Sequence, residues 1–439
     1  MLRANIQYFY LAAVFMAFSH QLAYFMGYGV IAFNASYAAY NYLCFIAIAY
    51  YFVVENQQPK LFYSKRILGV LLLFLAVSFF ASASSEQPVI SLLSWSTHVS
   101  VFFLGLSAYL FITVWPNRVG LLIAMLMAGG FAIVFKEWFS IYENWSIYKH
   151  LKSGDIVQVV TFNHIRNMMH MVTAMWLISF YFYTHNLKAY RFLLLLLVQF
   201  ILLGLLIWAA GRVHLLLLPL AILMLCVLFR SYNVALKITI SSLLMVIISV
   251  VTLSFVGQDF MFKNLTERMK IDANNLATLA NIESGQKADV GQESVLAKDI
   301  IGRLGSDRGS LWLKDYDLWE QKPVLGNGAD GYYLAKNGSE GTHPHNWIVL
   351  LLVQYGLIGF ICFTFLIKSI LSVAVTSYLA TKNGLAVLVI VYNTVFLLYG
   401  LLSGCFYYTL PLMFFVIVNG LFLGSYYNKK ADRGGNEVL

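Results

Sequence analysis

The sequence predicts an all-α polytopic membrane protein: about twelve transmembrane helices and one large, partly helical outer loop. Three observations carry this. Of 439 residues, 60% are hydrophobic and 11% charged, with mean hydropathy +0.74, whereas soluble domains run at roughly 45–50% apolar and about 25% charged. The apolar residues fall in Leu-rich runs of about 20, the length of a helix across a bilayer, without the alternation of a barrel strand. Basic residues recur at every second connection between the runs, as positive-inside topology requires. A secreted, nuclear or cytosolic enzyme is excluded.

Taken in order, the runs place helices at 9–32, 34–54, 67–84, 94–114, 119–140, 168–185, 192–210, 212–229, 236–256, 346–378, 384–403 and 405–427. The N-terminus carries only Arg3 ahead of its first run and no small-residue cleavage site, so that run is expected to be a retained span. With the N-terminus inside, the inner connections hold Lys60, Lys65 and Arg66; Arg118; Lys188 and Arg191; Arg230 and Lys237; Lys382; and Lys429, Lys430 and Arg433. The outer connections are short and nearly uncharged except 141–167 and 257–345. The chain thus divides into nine spans over 1–256, an outer loop over 257–345, three spans over 346–427 and an inner tail over 428–439.

Segment 257–345 is long for a structureless loop, a length that signals function or a small folded cap. Lys263–Thr278 and Ser306–Gln321 are expected to be helical, and Trp312, Tyr316 and Trp319 form a stripe suited to the membrane interface. The net charge is +9, yet 257–345 holds 10 Lys/Arg against 13 Asp/Glu. The basicity therefore belongs to the membrane part, where topology accounts for it, and nucleic-acid binding is not indicated. Cys44, Cys226, Cys362 and Cys405 lie in or beside apolar runs without metal-like spacing and read as small core residues.

Four outer features carry chemistry. Arg212, in Trp208-Ala-Ala-Gly-Arg-Val-His214, is a cation on the side the bias disfavours. It is either an interfacial side chain reaching to water or a fixed planar donor for a phosphate or pyrophosphate. Arg303 and Arg308 stand at the start of an amphipathic helix, whose backbone N–H groups also favour an anion; Asp307 between them offers a solvated ion pair as the plainer reading. Thr342-His-Pro-His-Asn-Trp347 opens the tenth run and places His343, His345 and Asn346 where the loop re-enters the membrane, with Pro344 restricting the backbone between the rings. A neutral imidazole there suits general-base work on a hydroxyl. Arg166 and Asn167 precede the sixth run, as substrate contacts or helix caps. No metal is expected: His343 and His345 have no carboxylate or Cys ligand set nearby, and Asp315 and Asp317 diverge by about 200° on a helix.

These motifs together resemble a known family. Gly211-Arg212, Arg308 with Trp312 four residues on, Pro323-Val-Leu-Gly-Asn-Gly328, His343-Pro-His-Asn346 and Gln354-Tyr-Gly-Leu-Ile-Gly359 look like the bacterial O-antigen ligase family of WaaL-like ligases, Wzy-type polymerases and protein O-oligosaccharyltransferases. The likeness covers about 160–365 by motif, with 308–359 its most specific part, and the whole chain by topology. It implies a multi-pass inner-membrane protein whose site faces the periplasm. The donor would be a glycan on undecaprenyl pyrophosphate, and the acceptor a sugar hydroxyl of lipid A-core or, for a polymerase, another lipid-linked unit. Arg212 and Arg308, with Arg303 as the alternative, would bind the pyrophosphate. His345 would take the acceptor proton, with His343 orienting or replacing it, and Arg166, Asn167 and Asn346 would contact substrate. Transfer would invert the anomeric carbon, without cofactor or metal. A flippase or transporter, the contrasting class, would put ionisable groups within the spans and show inverted repeats; here Arg and His gather at one face.

Overall fold

A computed structural model of the chain describes residues 2–19, 30–56, 65–143, 165–184, 189–208, 212–229, 232–256, 307–330, 344–403 and 409–432. Within them lie α1 (Leu2–Ser19), α2 (Val30–Val54), α3 (Lys65–Ala83), α4 (Pro88–Val114), α5 (Val119–Glu143), α6 (Ile165–Ser179, continued by a 3₁₀ turn to Thr184), α7 (Ala189–Trp208), α8 (Arg212–Leu228), α9 (Tyr232–Val256), α10 (Asp307–Gln321), α11 (Trp347–Thr381), α12 (Gly384–Ser403) and α13 (Thr409–Asp432). A helix stands at each of the twelve predicted spans, and α10 stands where the outer amphipathic helix was expected. The expected helix at 263–278 lies outside the described residues. Among the described residues, seven helices are long and apolar enough to cross a membrane, and α2, α6, α8 and α9 contain shorter apolar stretches. The protein is a polytopic membrane protein.

The apolar exterior fits that solvent. Leu72, Leu73, Leu194, Leu216, Leu223, Ile240 and Ile247 are exposed on α3, α7, α8 and α9, where a bilayer and not water must cover them. Inside, lipid supplies no hydrophobic drive between helices, so small residues and side-chain amides set the contacts. The most extensive packing is α4 on α13. A Cβ on Gly105 would meet Val416 Cβ at 2.8 Å, one on Gly424 would meet the Tyr109 carbonyl at 2.6 Å, and one on Gly420 would collide with the Gly105 carbonyl. Asn393 of α12 and Asn419 of α13 exchange two amide hydrogen bonds of 2.8 and 3.0 Å. Each also donates to the carbonyl four residues back, Val389 and Phe415 at 2.8 Å.

Several boundaries depart from the expected ones, because hydropathy marks contact with lipid and not the limits of a helix, and two of them bear on the packing. The first run was placed at 9–32, whereas α1 begins at Leu2. Ile6 and Gln7 in its first turns are buried as α1 packs on α2 and α5. The second concerns 346–378, read as one span. The chain here is helical to Thr381 but broken at Gly356, with φ 63° and ψ −170°, so a short half-helix precedes the longer one.

The break lies toward the end of the molecule where the α3–α4 turn, α10 and the 322–330 segment meet. Lys322 Nζ donates to the Ser84 carbonyl at 3.1 Å and the Ala329 amide to Ser82 Oγ at 3.1 Å. At the other end, the Tyr378 hydroxyl donates to the Leu228 carbonyl at 3.0 Å, joining the last turns of α11 and α8. The exposed cations Lys65, Arg66, Arg118, Arg191, Lys237, Lys382, Lys429 and Lys430 stand at helix ends on this second side.

Candidate functional site

The break in α11 leaves its backbone groups short of partners, and the 322–330 segment supplies them. The Asn327 and Gly328 amides donate to the Val353 and Gln354 carbonyls, both at 2.8 Å; the Leu357 and Ile358 amides donate to the Pro323 and Val324 carbonyls at 2.9 and 3.3 Å. Asn327 Nδ2 reinforces the seam, reaching the Leu318 and Val353 carbonyls at 3.2 and 3.3 Å. Irregular backbone at membrane depth is tolerated where protein satisfies it in this way. Gly326, Gly328 and Gly356 all have positive φ, at 78°, 85° and 63°. A Cβ on Gly326 would lie 2.5 Å from the Gln354 carbonyl oxygen and the Gly356 nitrogen. The sequence motifs around 323–328 and 354–359 are therefore the two halves of one backbone clamp.

A small polar network extends from the clamp. Asp330 accepts from Ser94 Oγ through Oδ2 and from Gln354 Nε2 at 2.9 Å through Oδ1. The Tyr355 hydroxyl lies 2.9 Å from His98 Nδ1, and Trp95 Nε1 donates to Ser78 Oγ at 3.0 Å. Ser94, His98 and Asp330 were not picked out from the sequence, and Gln354 only as the first residue of a motif. The available signal was their occurrence within or beside apolar runs, where polar side chains are costly unless paired.

His345 sits at the mouth of α11 in a left-handed conformation, φ 51°, and is half-buried. Its two neighbours fix that turn. Asn346 is the N-cap of α11, its side-chain oxygen accepting from the Ile348 and Val349 amides at 2.9 and 3.4 Å, as capping residues do. Pro344 is buried, and its carbonyl accepts from Trp312 Nε1 at 2.5 Å. Trp319, two turns farther along α10, donates to the Pro323 carbonyl at 3.1 Å. The stripe expected at the membrane interface thus uses two of its indoles to pin α10 onto the ends of the α11 entrance and the clamp. Only Tyr316 of the three is largely exposed. Its phenol is raised above its ordinary pKa by the hydrogen bond to Glu320 and by the charge of Glu320.

Arg308 is the second residue of α10, one turn before Trp312 and on the same face. Its backbone is thereby about 6 Å along the helix axis from that of Trp312, whose indole holds the His345 turn. The start of a helix such as α10 also favours an anion. Arg212 opens α8, and Arg166 and Asn167 fall in the first turn of α6, so Asn167 stands inside the helix and not at its cap. The side chains of Arg166, Asn167, Arg212 and Arg308 lie outside the described residues, as do the whole of Arg303 and His343. α12 packs against α6, α8 and α11. Asp315 is buried and Asp317 exposed, the divergence expected of i and i+2.

Beneath the α6 and α8 entrances lies a cluster that the sequence reading did not assign. His170 of α6 and His214 of α8 are 1% and 5% exposed. Their rings are 6.5 Å apart between centroids, and the Tyr399 ring of α12 lies 4.8 and 4.2 Å from them.

Residues 192–364, from α7 into α11, match the family model described as O-antigen ligase. The matched stretch contains Arg212, Arg303, Arg308, His343, His345, Asn346, the clamp and His214, and leaves Arg166, Asn167 and His170 outside. No curated protein matches the chain.

Proposed function

We propose that this chain, which carries an O-antigen ligase family domain, transfers a glycan from undecaprenyl pyrophosphate to a sugar hydroxyl of lipid A-core, on the periplasmic side of the bacterial inner membrane. The observation that carries this reading is the bond from Trp312 to the Pro344 carbonyl, which couples the anion-receptive start of α10 to the His345 turn. A cation and a base at one membrane entrance are what displacement of a diphosphate by a hydroxyl requires.

In the proposed reaction the acceptor oxygen attacks the anomeric carbon and forms the new glycosidic bond. The bond from that carbon to the pyrophosphate oxygen breaks, and its electron pair leaves with the lipid. His345 takes the hydroxyl proton. Arg212 and Arg308 stabilise the charge that develops on the departing pyrophosphate, and the anomeric configuration inverts in a single displacement. Asn346 supports the base indirectly, since its oxygen already caps α11.

Purified protein given lipid-linked donor is expected to glycosylate lipid A-core, and to do so in excess EDTA. Arg308→Ala and Arg212→Ala should lose most of the transfer. Arg212→Lys should lose part of it, because it keeps the charge but not the two-pronged donor. Product built on a second lipid-linked unit and none on lipid A-core would make the protein a polymerase. Activity abolished by EDTA and restored by Mg²⁺ would overturn the arginine-based account. A reporter enzyme fused at Gly338 that behaves as cytoplasmic would overturn the sidedness, which rests on the cations gathered at the opposite end.

A further inference from the structure

The His170–His214 pair has no role in the reaction just described, yet it is costly to maintain. Both ring nitrogens of His170 and Nε2 of His214 are buried without a hydrogen-bond partner among the described residues. The surroundings are aromatic: Phe396 lies 4.9 Å from His170, and Tyr399 touches both imidazoles. Phenylalanine would fill such a site without leaving polar atoms unsatisfied. A buried polar group lacking a partner is destabilising, and within a membrane protein polar side chains mark substrate paths.

Position indicates what the pair receives. His170 lies four residues after Arg166 on α6, and so on the same face and about 6 Å deeper along the helix axis. His214 lies two residues, about 3 Å, into α8 and about 200° around it from its first residue, Arg212. The imidazoles therefore stand beneath two helix N-termini that each carry an arginine, and helix N-termini favour anions. In a lipid diphosphate the prenyl tail runs into the bilayer. The lipid-side phosphate must then lie deeper than the sugar-side phosphate.

We infer that His170 and His214 form the deep half of a diphosphate site, hydrogen-bonding the lipid-side phosphate while the arginines at the rim hold the sugar-side one. The inference rests on the transfer reading above, and it adds a division of labour between the two phosphates. Neutral imidazoles suit the deeper position, because each donates one N–H without burying a charge that the departing lipid would leave behind.

The test is binding of undecaprenyl monophosphate and undecaprenyl diphosphate to the purified full chain in nanodiscs, alongside thermal unfolding. His170→Phe and His214→Phe are expected to be at least as stable as the parent and to bind both lipids about 10-fold more weakly, the loss of one charge-assisted hydrogen bond. Arg212→Ala should weaken the diphosphate alone. His170→Gln and His214→Gln keep an amide donor and should recover part of the affinity, and they serve if the Phe variants do not fold. Folded Phe variants that bind both lipids like the parent would overturn the inference and reduce the pair to a site for buried water. A parent that binds neither lipid would overturn the transfer reading itself.

Discussion

His345→Ala is expected to lower single-turnover transfer by about 10²–10⁴-fold, the usual contribution of a general base, while donor affinity stays near that of the parent. The residue is held by its neighbours on both sides, with Pro344 bonded to Trp312 and Asn346 capping α11. Those two bonds remain when the imidazole is removed. Trp312→Phe is the complementary variant. It keeps the ring but loses the N–H, and one hydrogen bond is worth about 0.5–1.5 kcal/mol. Transfer should fall by up to about 10-fold, through a looser His345 turn and again without loss of donor affinity. His343→Ala should cost less than His345→Ala. A His345→Ala enzyme that transfers at nearly the parental rate, or whose defect is confined to donor affinity, would refute the base assignment.

The helices at the twelve expected positions were legible because lipid imposes a simple rule: a helix must hide its backbone and show apolar side chains over a fixed length. The outer helix was legible because Trp312, Tyr316 and Trp319 repeat at helical spacing. Individual side chains within that pattern were harder to assign. Two of the three aromatics donate to backbone carbonyls, a use that spacing cannot separate from an interfacial stripe. The break at Gly356 was hidden for a related reason, since hydropathy counts a glycine between apolar residues as part of one run. Only tertiary hydrogen bonding from residues some thirty positions upstream reveals why the helix stops and restarts. His170 and His214 were missed because an isolated histidine in an apolar run carries no signal of its own. Their meaning lies in a proximity created by the packing of α6, α8 and α12.

Gly326→Ala is expected to abolish transfer, by about 100-fold or more, and to lower thermal stability, although the chain should still insert with the same topology. Two costs combine. A residue with a Cβ at φ 78° pays about 1–2 kcal/mol for the left-handed backbone. The added carbon would also sit 2.5 Å from the Gln354 oxygen and the Gly356 nitrogen, atoms fixed in the backbone of α11. Relief requires the segment to move away, which breaks the bonds at Val353, Gln354, Leu357 and Ile358, each costing about 1–3 kcal/mol if left buried and unmade. Displacement would also loosen Trp319 at the Pro323 carbonyl and, through α10, the tie from Trp312 to the His345 turn. Gly356→Ala should separate the two contributions. An alanine favours a continuous helix, which can satisfy Val353 and Gln354 from within, so stability should fall less while the added carbon still pushes away the Val324 carbonyl and transfer is still lost. Gly69→Ala, where an added Cβ meets nothing within 4 Å, should change neither property. A Gly326→Ala protein with parental melting and parental transfer would show that the clamp is dispensable and that the His345 turn is held by α11 alone.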